Sequence, residues 1–162
     1  KVRIRGVIQF TAKVANVIPH LFPVVRIVVV KDTRTNGVEL KGEDVIGPGQ
    51  GGNGLPSVSG NGGAIHLFTN PEGWGRYKIV HDEFYIGDPG GMTTAGVVDF
   101  SAVSMQYPFS ITINCDCDVN FSNTTGDVSA VVDNSYHMLA GVTESSSLSV
   151  AVGYYARTSF IG

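Results

Sequence analysis

At 162 residues and 17.1 kDa the chain has the length of one domain, and its 43% hydrophobic residues are enough to bury a core. Charged residues make up only 15%, too few for a coiled coil or a disordered charged tail. The net charge of −3 hides a split, because Lys1, Arg3, Arg5, Lys13, Arg26 and Lys31 all precede the first acid, Asp32. The first 31 residues carry +6, and the other 131 carry 5 basic and 14 acidic residues, or −9. Such asymmetry points to a basic face or arm that meets a polyanion.

Taken in chain order, strand patterns dominate. Val2 to Phe10 opens with period-2 alternation that sets Val2 and Ile4 on one face and Arg3 and Arg5 on the other. Val24 to Lys31 is β-branched except at Arg26 and Lys31, the pattern of a strand buried on both faces. Asp32 to Gly37 closes it with an Asn-Gly turn, and Glu43 to Ile46 has room for one helical turn. Residues 47–63 hold eight Gly and two Pro in 17 positions and read as a long loop inside the domain. Strand patterns resume at Ala64–Phe68, Arg76–Ile86, Val97–Met105, Phe109–Phe121, Tyr136–Val142 and Leu148–Phe160. That makes about eight strands and no helix of three turns, so the expected fold is all-β, an eight-stranded antiparallel jelly-roll sandwich over residues 1–162.

The motifs that carry chemistry elsewhere lack their context here. Gly49 to Gly54 matches G-x-G-x-x-G, but loop flanks it on both sides where a dinucleotide site needs a strand and a helix. His20, His66, His81 and His137 form no metalloprotease spacing, and neither a nucleophile elbow nor a P-loop is present. No catalytic residue and no enzymatic activity is expected. Asp116, Asp118 and Asn120 share the polar face of the 109–121 pattern. The Gly that an EF-hand requires is replaced by Phe121, which leaves Asp116 and Asp118 as oxygen ligands for a looser calcium site. Cys115 and Cys117 stand two apart in a strand pattern and are expected reduced and buried, which favours assembly inside a cell. Two sequons, at Asn120 and Asn123, matter only in a secreted chain. No apolar run reaches the ~18 residues that span a bilayer, and no apolar stretch follows the charged start as in a signal peptide. Lys1, Arg3, Arg5 and Lys13 are the candidates for contact with nucleic acid, through charge and not base sequence.

Several segments, in order, resemble the single jelly-roll capsid proteins of satellite tobacco necrosis virus and of many small circular single-stranded DNA viruses. Arg5-Gly6-Val7-Ile8 resembles the first core strand that follows the basic arm. Val25-Arg26-Ile27-Val28-Val29-Val30-Lys31-Asp32, with Thr35-Asn36-Gly37 and Asp44-Val45-Ile46, is similar to the Arg-bearing strand, Asn-Gly turn and following turn of that family. Arg76 to Asp82, Asn134 to Ala140 and Tyr154 to Phe160 resemble three later strands. Asp116 and Asp118 stand where many of the DNA-virus members carry lysines, and Ser159 replaces a closing Arg. The resemblance implies a structural protein that self-assembles into a small icosahedral shell around viral nucleic acid, within a virion assembled in the host cell. It also implies a basic arm upstream of Lys1, a possible host receptor, and no membrane partner. The rival expectation is a jelly-roll carbohydrate- or receptor-binding module, with Trp74 as its loop aromatic.

Overall fold

The computed structural model describes residues 1–12, 24–35, 40, 42–46, 75–86, 104–115, 117–125, 130–142 and 148–159. The Gly-rich loop 47–63, the expected strand 64–68, Lys13, Trp74 and Asp116 lie outside the described residues.

Among the described residues the chain is all-β. Six strands form two antiparallel sheets: β1 (Val2–Ala12), β2 (Val24–Asp32), β3 (Tyr77–Ile86), β4 (Ser104–Ile113), β5 (Ser135–Val142) and β6 (Leu148–Thr158). The single helix, α1 (Gly42–Val45), is one turn long and closes with the Ile46 N–H donating to the Gly42 carbonyl at 3.0 Å. Two compact units are present, one of Lys1–Val25, Phe84–Asn114 and Val142–Gly162, the other of Arg26–Glu83 and Cys115–Gly141.

The first unit holds the sheet β4-β1-β6. Strand β1 is central and pairs antiparallel with both neighbours, which places the start of the chain beside its end. The period-2 alternation sets one face: Ile4, Ile8, Phe10, Phe109, Ile111 and Ile113 are buried on it. Phe10 meets Tyr107 edge to face at 5.7 Å. Gly6 sits on this same face opposite Phe109, and a Cβ added there would run into the Phe109 ring and the Gly153 carbonyl oxygen. The close approach of ring and carbonyl requires glycine at this position.

The second unit contains most of the sheet β3-β2-β5. Strand β2 is buried along both faces from Val25 to Val30, as its β-branched run requires. Val28, Val30, Leu40, Val45, Ile46 and Leu139 form its core, with Tyr77 and Ile79 packed against them. Arg26 is internal at 5% exposure, and its guanidinium meets Asp82 twice, Nε to Oδ1 at 2.8 Å and Nη2 to Oδ2 at 2.6 Å. One of the six early cations is therefore part of the fold's interior.

The expected strand over 109–121 is corrected. The ladder runs from Ser104 and stops at Ile113, opposite Val2, where its partner strand begins. Past that point β1 offers no further partner, and 114–115 and 117–120 leave the strand conformation. An irregular hairpin follows. Asn120 donates from its backbone N–H and its side-chain amide to the two Asp133 oxygens at 3.0 and 2.8 Å, and Phe121 bridges Val131. Asn134 takes a left-handed φ of 55°, which an Asn tolerates, and its amide caps the Asp118 carbonyl at 2.8 Å.

Candidate nucleic-acid interface

The face of the β4-β1-β6 sheet opposite its core is polar and exposed. Its composition follows from register. Arg3 stands between Thr112 on β4 and Arg157 on β6; Arg5 stands between Ser110 and Tyr155; Val7 stands between Pro108 and Gly153. Lys1 continues the same row at the strand end. Its main-chain nitrogen donates to the Ser159 carbonyl at 2.9 Å, and its own carbonyl accepts from the Ser159 N–H at 2.8 Å. Arg3, Arg5, Arg157 and Tyr155 are all exposed, Tyr155 at 61%.

Two features of this face bear on function. First, the described residues of the unit that holds it include Lys1, Arg3, Arg5 and Arg157 and no Asp or Glu. Among the described residues the other unit carries both signs, Asp32, Asp44, Asp82, Glu83, Asp118 and Asp133 beside Arg26, Lys31, Arg34, Arg76 and Lys78. Second, Arg3 and Arg157 are direct cross-strand partners. Like charges so placed repel at Cβ separations of roughly 4.5–5.5 Å, and an anion between them removes the repulsion.

The residues expected at this interface separate as follows. Lys1, Arg3 and Arg5 share the face; Lys13 lies outside the described residues. Arg157 and Tyr155 join them from the far end of the sequence. Their signal was their alternation in the last strand, but the pairing of first strand with last is a tertiary fact.

Of the calcium pair, Asp116 lies outside the described residues, and Asp118 is on an exposed segment that is not a strand. Among the described residues no three His, Cys, Asp or Glu side chains converge as metal ligands do. Cys115 and Cys117 are free thiols, half-buried and not fully buried. Cys117 Sγ is 3.6 Å from the Tyr136 hydroxyl, and burial together with both thiols pushes that phenol well above its ordinary value.

A polar clamp joins the end of β2 to the starts of β3 and β5. Arg76 donates from Nε and Nη2 to the Asp32 oxygens at 2.9 and 2.8 Å, which raises its pKa, and it stacks over the Tyr77 ring at 4.9 Å. Thr33 donates from its N–H and its hydroxyl to the Arg76 carbonyl at 3.0 and 2.9 Å. Ser135 Oγ is 2.7 Å from His137 Nε2, the separation of a nucleophile and its base, and 2.5 Å from the Thr35 hydroxyl. The Asp32 oxygens accept from Arg76 and from the Arg34 N–H at 2.9 Å. With its groups bonded to one another, the cluster acts as a clamp.

Searches against family models, curated proteins and solved structures found no match to this chain.

Proposed function

We propose that the chain is a capsid subunit that self-associates into a small closed shell around nucleic acid, within a virion, and that it works by assembly and not by catalysis. The observation that carries this reading is the basic face of the β4-β1-β6 sheet, which holds Lys1, Arg3, Arg5 and Arg157 and no Asp or Glu among the described residues. A subunit with one cationic sheet face is suited to face a polyanion on that surface and copies of itself on others. Exposed apolar side chains support the second half: Val80, Phe84 and Ile86 recur on one face of the edge strand β3, and Val119 and Phe121 are exposed on the irregular hairpin.

The finer fold belongs to the same proposal. The six strands enter the two sheets in the order first, second, second, first, second, first. That alternation between two antiparallel sheets, with the first strand beside the last, supports the eight-stranded jelly-roll reading.

The test is sedimentation of the nuclease-treated protein. The proposal expects a fast, uniform species whose absorbance shows protected nucleic acid. A monomer or trimer that binds glycans and carries no nucleic acid would replace it with the receptor-module reading.

A further inference from the structure

We infer that Arg3, Arg5, Arg157 and Tyr155 form a platform for single-stranded nucleic acid, in which one phosphate bridges the Arg3–Arg157 cross-strand pair and a base stacks on Tyr155. The inference deepens the proposed function by naming the site and the form of its nucleic acid.

Three observations converge on it. Arg3 and Arg5 lie two residues apart on one strand face, about 6.8 Å along the strand at ~3.4 Å per residue. That is close to the step between neighbouring phosphates on an extended single strand. Arg3 and Arg157 are opposed across the ladder, and none of Arg3, Arg5 and Arg157 has an ion-pair partner among the described residues. Two arginines at directly opposed positions can together meet the several oxygens of a phosphate, and Thr112 and Ser110, the β4 register partners of Arg3 and Arg5, add neutral hydroxyls to the same face. Tyr155, the register partner of Arg5, offers an exposed ring within the cationic row. Charge alone would serve any polyanion. An exposed ring among arginines suits unpaired bases, since a duplex keeps its base faces covered.

The bridge also has a structural consequence. A bound phosphate turns a repulsive cross-strand pair into an attractive one, so nucleic acid tightens the β1–β6 pairing that joins the two ends of the chain.

The test is binding of oligo(dT) by the full, unassembled chain, read by fluorescence anisotropy across a salt series. A duplex and poly-glutamate of equal length serve as comparators. Arg157→Gln is expected to weaken binding and make the log–log salt slope shallower by about 0.7. Tyr155→Leu is expected to weaken oligo(dT) binding about tenfold and leave the slope unchanged. Without ligand, Arg157→Gln is expected to melt at or above the wild-type temperature, and to gain less from oligo(dT) than wild type does. An unchanged slope in Arg157→Gln overturns the inference. So does a duplex or poly-glutamate that binds as tightly as oligo(dT) with Tyr155→Leu without effect. Because binding is read before assembly, a chain that binds oligo(dT) this way but forms no shell refutes only the shell. Shells that form while oligo(dT) binding ignores both variants refute only the platform.

Discussion

Asp32 and Arg76 differ in burial, and that difference predicts which partner is costlier to lose. Asp32 is fully buried, while the Arg76 side chain is 31% exposed. In Asp32→Asn the amide keeps the shape and some of the hydrogen bonds. The guanidinium it leaves behind can turn to water, so the cost is set by weakened charge-assisted bonds at about 1–2 kcal/mol. Arg76→Met instead leaves a buried carboxylate that still accepts from the Arg34 N–H. Breaking a buried pair in that direction costs roughly 3–5 kcal/mol, and the lost stacking on Tyr77 adds up to ~1 kcal/mol. For a chain of this length the difference is worth about 5–10 °C in melting temperature. Urea denaturation of both variants, with equal slopes, reads the two costs. An Asp32→Asn cost equal to or above that of Arg76→Met would refute the reasoning.

Other perturbations follow from the same contacts. Gly6→Ala drives a methyl into the Phe109 ring and the Gly153 carbonyl, and is expected to cost about 2–3 kcal/mol in urea denaturation. Adding Phe109→Leu should recover only part of that, because the carbonyl cannot move without disturbing the β1–β6 ladder. Burial, aided by Arg76 and opposed by Asp32, holds His137 below its ordinary 6.5, so below that value the folded chain binds fewer protons than the unfolded one. Stability should therefore fall as pH drops from about 7 to about 5, and His137→Gln should flatten that slope in thermal melts. Ile86→Asp, at a side chain 58% exposed on β3, the edge strand among the described residues, should block shell formation while changing the unfolding free energy in urea by no more than about 0.5 kcal/mol. Particle loss without monomer destabilisation is what light scattering and denaturation together should record.

What was legible in the sequence was local. Alternation at Val2–Phe10 gave the two faces of β1, and the β-branched run at Val24–Val30 gave a strand buried on both sides. The one-turn helix near Glu43 was legible because so few residues there favour anything longer. Where pattern failed, a partner decided. Alternation continues through Phe121, yet the strand ends at Ile113 because β1 ends at Val2. Arg26 and Arg3 look alike in sequence, each a cation in a β-branched run. Asp82 draws one inward, while Arg157 faces the other across an open sheet. Those contacts span 56 and 154 positions, and no local rule reaches that far.

The most direct test of the shell-forming role is negative-stain imaging of the purified full chain near neutral pH and low salt, with and without added single-stranded nucleic acid. Closed, uniform particles, more abundant with nucleic acid, are expected. A monodisperse monomer or small oligomer under both conditions would contradict it.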